Sequence, residues 1–257
     1  MLKLKLYKQI HKIKEKWMQI LLNDKSFGIH YIKLERNENI IEDKLILKID
    51  KDSRDIISDE IEYEGCLSIY VKTKINLSIC LYKTTFFTNY IFLNEEHNID
   101  DEILIEAVMS NKESALKSNY NQLIVDVFYL WSQNIEIEWL KINSLEMKAS
   151  YLGACYLWNS YDYVIENKGD INIQGELINC SEDLYYYLGE SIMGKRGFFG
   201  SNLDSLDDFL IDLCKNNTID NCIIFNNTET IINNTSKYFF ETIVLLLGKS
   251  KFQVQIN

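Results

Sequence analysis

Residues 189–210 read GESIMGKRGFFGSNLDSLDDFL. The first half comes close to a phosphate-binding loop, in which Gly-x4-Gly-Lys is followed by Ser or Thr. Gly189, Gly194 and Lys195 fit that pattern, but Arg196 stands where a hydroxyl must reach the metal ion of a bound nucleotide. A phosphate loop also leaves a buried strand, whereas the preceding SEDLYYYL (181–188) reads as a helix. A nucleotide site is therefore not expected. The second half reads as a helix capped by Asn202 or Ser201. Leu203, Leu206, Leu210 and Leu213 recur at helical spacing on one face, and Asp204, Asp207, Asp208 and Asp212 fall on the other. Asp204 and Asp208 stand one turn apart. Such a row is often no more than a solvated face. Here it adjoins a loop rich in Gly and aromatics, which also carries Lys195 and Arg196 in an otherwise acidic chain.

Around this stretch the elements alternate. DINIQG (170–175) reads as a strand, and Asn179 with Glu182 can cap a helix running to Gly189. After the loop and the acidic helix come DNCIIF (220–225) as a strand, residues 236–247 as a helix and KFQVQI (251–256) as a closing strand. This order predicts a small parallel sheet covered by helices. Upstream the pattern differs. An amphipathic helix is expected over residues 4–22, with Ile10, Ile13, Trp17, Ile20 and Leu21 on one face and Lys8, Lys12 and Lys16 on the other. Short runs follow: IHYIKL, KLILKI, CLSIYV, INLSICLY and NYIFL, several alternating as half-buried antiparallel strands do. Helices are expected over 100–109 and 120–131, and a strand at NIEIEWLKI (134–142). A helix through EMKASYLGACYLW (146–158) is opened by Asn143 and Glu146. The polar stretch 160–170 marks the boundary. The expected organisation is an α+β domain with an antiparallel sheet over 1–165, of undetermined role, and an α/β domain over 166–257.

Composition narrows the function. The chain has 257 residues, 47% of them hydrophobic, and a formal net charge of −11. That size supports a core without staples. The charge argues against nucleic acid, whose binders need basic surface, and favours a basic partner. Proline is absent, as codon usage in an AT-rich bacterial genome would produce. Residues 1–16 alternate apolar and basic side chains without the apolar core of a secretory leader, and no run reaches transmembrane length. A cytoplasmic protein is expected, with its six cysteines reduced and buried. His11, His30 and His97 form no metal-spaced pair, and neither a cofactor nor a metal is expected. Glu95 and Glu96 beside His97 are the one cluster fit for acid–base work in an N-terminal enzyme, and a solvated turn explains them more simply.

The segment FFGSNLDSLDDFL (198–210) resembles the hallmark of the barstar family, intracellular inhibitors of secreted ribonucleases. Gly200, Asn202, Leu203, Asp204 and Asp208 all fall in register with it, and the order of elements from residue 170 to 257 is similar too. The resemblance covers the last third of the chain. It implies a barstar-like domain with a three-stranded parallel sheet, no catalytic activity, and an immunity role against a basic ribonuclease toxin. It also implies that carboxylates at Asp204 and Asp208 mimic RNA phosphates, Asp208 lying deepest among the enzyme's cations. Phe198 and Phe199 would lie at the contact, with Phe198 packed on a catalytic His. Gly200 would allow close backbone approach, and Asn202 would fix the loop and cap the helix. Asp207 stands where the family has tryptophan. The family's further contacting glutamate, on its penultimate helix, has Glu241 as its nearest counterpart. A scaffold that kept this fold without inhibition is the alternative of a different class.

Overall fold

A computed structural model describes residues 17–26, 28–35, 43–49, 64–93, 102–109, 121–160 and 163–257. The chain divides into two compact units, one comprising Met1–Lys72 and Asn76–Ile137, the other Thr73–Ile75 and Glu138–Asn257.

The first unit is built on six strands: β1 (Met18–Leu22), β2 (Ile29–Glu35), β3 (Asp43–Ile49), β4 (Glu64–Lys72), β5 (Ser78–Leu93) and β6 (Glu102–Met109). They form one sheet in the order β1-β4-β5-β6-β3-β2, every neighbouring pair antiparallel. Period-two alternation buries Ile20 and Leu22, Leu45 and Leu47, and Leu67 and Ile69. Helix α1 (Gln122–Ser132) is capped by the side chain of Asn121 and buries Val125, Phe128 and Trp131. Its Gln122 amide satisfies the open edge of β2: Nε2 donates to the Ile32 carbonyl and Oε1 accepts from the Leu34 N–H, each at 3.0 Å. A side-chain amide here does what a further strand would do, and so protects an edge that could otherwise pair with another chain.

Several expectations are corrected in this unit. Residues 18–22 form a strand and not the end of a helix; residues 4–16 of that expected helix lie outside the described residues. MQILL satisfies both periods, and pairing with β4 from Met18↔Val71 to Leu22↔Leu67 selects the extended form. Residues 102–109 are also a strand. β6 is hydrogen-bonded on both sides, to β3 and β5. A central strand can be apolar throughout, so its sequence fits a helical template equally well. The two strands expected within 75–93 are one 16-residue strand, β5, with an irregularity between Thr88 and Tyr90. The Glu95–Glu96–His97 cluster lies outside the described residues.

The second unit holds a three-stranded parallel sheet, β7 (Asp170–Gln174), β8 (Cys222–Asn226) and β9 (Gln253–Ile256), with β8 central. Around it lie α2 (Leu145–Asn159), α3 (Ser181–Met193), α4 (Leu203–Asn216), α5 (Thr228–Asn234) and α6 (Lys237–Lys249). Mixed α/β architecture with a separate parallel sheet is thus present. The division between units, however, falls at Ile137/Glu138 and not near residue 165, so α2 belongs with the parallel sheet. The expected strand at 134–142 is absent. Asn134 turns the chain with φ 58°, and Trp139–Lys141 forms a single 3₁₀ turn. Trp139 is buried there, stacked on Tyr186 at 4.2 Å, with Nε1 donating to Asp183 at 2.7 Å. That tertiary bond outweighs the strand propensity of NIEIEW. The caps of α2 and α3 sit at Ser144 and Cys180, each one residue from the expected position. Helix α5, only seven residues long, has no counterpart among the expected elements. All six cysteines are free, but only Cys155 is buried and Cys80 is exposed. Among the described residues no helix is long and apolar enough to cross a membrane.

Candidate protein-interaction site

Helix α4 starts where the sequence places it. The Asn202 side chain accepts from the Ser205 N–H at 2.8 Å, and Ser205 Oγ accepts in return from the Asn202 N–H at 3.0 Å and the Ser201 N–H at 2.8 Å. These bonds satisfy donors that a helix start leaves open. Leu206, Phe209, Leu210 and Leu213 are buried. Asp204, Asp207 and Asp208 are exposed on the opposite side. Among the described residues none of these three makes an ion pair or hydrogen bond. Asp212 is half-buried and pairs with Lys215 at 2.8 Å. The Asp204 charge is still felt inward. The Tyr185 phenol is pushed well above its usual range by burial first, then by Glu182 and Asp204.

The loop before α4 is held rigidly. Gly194 ends α3 at φ 76°. Gly189 and Gly197 approach so closely that a Cβ on Gly189 would lie 2.5 Å from the Gly197 carbonyl oxygen. The glycines that imitate a phosphate loop therefore serve to lay the loop on α3. Arg196 is 3% exposed, with φ 63°. Its N–H donates to Glu190 Oε1 at 2.7 Å, its carbonyl accepts from Asn159 Nδ2 at 2.6 Å, and its guanidinium lies over Trp158 at 5.4 Å. Arg196 is thus an internal anchor and not a surface cation; Lys195 alone of the two is exposed. Gly200 takes φ 98°, and a Cβ there would meet Leu206 at 3.0 Å. Gly200→Ala should lower unfolding free energy by about 1–3 kcal/mol in chemical denaturation. An unchanged value would mean the left-handed turn is not required.

The aromatic pair departs from expectation. Phe198 is 4% exposed and Phe199 is fully buried. Phe198 packs edge-on against Tyr156 of α2 at 5.1 Å and against Phe209 at 5.7 Å, while Phe199 contacts Phe209 and Phe252. Phe199 is enclosed, and Phe198 meets solvent only as part of a cleft wall. Helix α2, which the sequence assigned to the other domain, supplies the covering ring. Glu241 is exposed on α6 and faces Lys237 at 3.7 Å. The Asp204–Asp208 row and Glu241 therefore differ: the first is unpaired among the described residues, the second carries a nearby cation.

No protein-family model matches this chain, and no curated protein matches it. The site must then be read from its own geometry. A cleft of about 320 Å³ opens beside the acidic row. Tyr156 and Tyr163 line it together with Phe198 and Phe209, and Asp208 and Asp212 of α4 stand at it. The tyrosines are the residues sequence reading missed. Tyr156 is 48% exposed, yet it sits in an apolar helical run where a core position is the ordinary reading. Among the described residues no group of three or more His, Cys, Asp or Glu is placed to hold a metal ion. What the surface offers is fixed negative charge beside aromatic rings, which attracts and holds cationic groups.

Proposed function

We propose that this chain is a protein inhibitor of a basic ribonuclease: an immunity protein of barstar-like fold and action, working in the cytoplasm and without catalytic activity of its own. One observation carries the reading. Asp204, Asp207 and Asp208 project from a helix whose opposite face is locked into the core, so the charges are held in place before a partner arrives. A ribonuclease active site is a cationic cleft built around an RNA phosphate. Carboxylates one helical turn apart on a rigid support can occupy such a cleft as phosphate mimics. Preorganisation keeps the entropic cost of binding low. The overall charge of −11 speeds encounter with a basic enzyme. In this reading Asp208 and Asp204 enter the catalytic cleft, Asp207 and Glu241 lie beside it, and Gly200 and Asn202 set the loop. Phe198 and Phe199 act from beneath as support, with no direct contact.

The test is a titration of the purified chain into a panel of basic ribonucleases that includes any encoded by a neighbouring gene. RNA hydrolysis should fall to background at a one-to-one ratio. Added salt should slow association far more than it speeds dissociation. Undiminished hydrolysis at molar excess would remove the inhibitor reading.

A further inference from the structure

Helix α6 sends Phe240, Ile243, Leu246 and Leu247 into the core. Its opposite side carries Tyr238, Glu241, Leu245, Gly248 and Lys249, all exposed. They recur at helical spacing and so form one stripe. Two features of the stripe serve nothing inside the chain. Tyr238 is 75% exposed and Leu245 56% exposed, which leaves apolar surface in water along the helix. Gly248 lies in the last turn, where glycine supports a helix less well than alanine. Its backbone is not left-handed, and a Cβ added there would meet nothing within 4 Å. We propose that this stripe is the contact of a homodimer, in which two copies of α6 pack antiparallel across a two-fold axis at Leu245.

The second copy is singled out because the stripe complements itself. In a two-fold contact residue i faces j and j faces i. With Leu245 on the axis, Glu241 faces Lys249 of the second copy and Lys249 faces its Glu241. Gly248 faces Thr242, and its bare backbone lets the two helices close. Tyr238, two turns from the axis, covers each end. A parallel arrangement would instead set glutamate against glutamate and lysine against lysine. Within one chain Glu241 faces Lys237 at 3.7 Å, but both side chains are exposed and such a pair is weakly held, so Glu241 is available to the second copy. Among the described residues Lys249 makes no ion pair. Each chain carries a formal charge of −11, which opposes self-association. This stripe, flanked by Lys237 and Lys249 with Glu241 as its one acid, is a place where two such chains can meet without local repulsion. A 13-residue helix is about 20 Å long. One such contact falls short of the roughly 800 Å² per partner of a standard interface, so the dimer is weak and reversible, with a dissociation constant on the order of 100 µM. The contact does not depend on the inhibitor reading, and its test uses no ribonuclease.

The chain should be followed by sedimentation velocity from about 5 to about 500 µM in about 0.15 M salt, where charge is screened beyond about 8 Å. The sedimentation coefficient should rise from the monomer towards the dimer value. Leu245→Glu should hold the chain monomeric throughout. Glu241→Lys and Lys249→Glu should each weaken association about tenfold or more, because each sets like charges face to face. An equimolar mixture of those two variants should dimerise again, since every facing pair is then opposite in sign. All three substitutions are at exposed positions, and unchanged melting temperatures show that the fold is kept. A wild-type chain that stays monomeric at the highest concentration overturns the proposal. So does association that survives Leu245→Glu or either charge reversal, or a mixture that fails to recover it.

Discussion

Asp208→Ala is expected to weaken the complex with the ribonuclease about a thousandfold, a loss of about 4 kcal/mol, almost all of it in the dissociation rate. The size of the effect follows from what truncation leaves behind. A carboxylate buried among cations is compensated; its removal strands those cations in a dry interface, and that penalty adds to the lost attraction. Asp204, one turn nearer the helix start, should cost less, about tenfold to a hundredfold on the same reasoning. Neither variant should harm the fold. Both side chains are exposed, and each removal relieves a like-charge neighbour four residues away. Surface plasmon resonance with the wild-type enzyme, beside thermal unfolding of each variant, separates binding from stability. An Asp208→Ala variant that dissociates at the wild-type rate contradicts the assignment.

The largest effect on stability is expected at a residue with no part in that contact. Asp183, in the first turn of α3, is buried, and its carboxylate accepts four hydrogen bonds. These come from Trp139 Nε1 at 2.7 Å, Lys148 Nζ at 2.7 Å, the Asn179 N–H at 2.8 Å and the Cys180 N–H at 3.2 Å. One side chain thereby joins the 3₁₀ turn, α2 and α3. Asp183→Ala should cost about 3–5 kcal/mol, because it strands the Lys148 ammonium and the indole N–H in a poorly solvated place. The pH dependence has a defined sign. Burial pushes the Asp183 carboxyl up, but the bonds from Lys148, the Asn179 N–H and Trp139 outweigh it, and its pKa lies below the ordinary 3.8. Its contribution is therefore complete above about pH 4 and is lost as pH falls through the lowered native value. For Lys148, burial pulls down, but the hydrogen bond to Asp183 and that carboxylate's charge leave its pKa above 10.5. That contribution is complete below the unfolded value and is lost as pH rises through the raised one. Denaturant titrations across pH should show both limbs in the wild type and a shallower pH dependence on each side in Asp183→Asn. A variant with wild-type stability at neutral pH would show that the four bonds contribute nothing net.

The same cluster shows why some of the chain was legible and some was not. The α4 face could be read because its information is local. Asn202 and Ser205 are three apart, the leucines follow the helical period, and the aspartates fill the remaining positions. The parallel sheet was equally readable, since each of its strands is short, apolar and bounded by polar turns. The fate of Phe198 and Arg196 was not local. It depends on Tyr156, Trp158 and Asn159, some 40 residues earlier, packing over the loop. Nothing in KRGFFG itself distinguishes a contact loop from an anchored one. MQILL and EILIEAVM failed for another reason: both satisfy two periods at once, and strand partners distant in sequence made the choice. The sequence alone does not single out Asp183, because Asn179 and Glu182 offer the same capping pattern one residue earlier, and only the packing of Trp139 and Lys148 against Asp183 breaks the tie.

The most direct measurement sets the chain against RNA for one place on the enzyme. A fluorescent, non-cleavable oligonucleotide bound to the ribonuclease should be displaced completely by the chain, with an affinity matching that for the free enzyme, and Asp204→Ala/Asp208→Ala should displace it poorly. A stable ternary complex of enzyme, oligonucleotide and chain would contradict the account, because the carboxylates and the phosphates could not then be using the same cations.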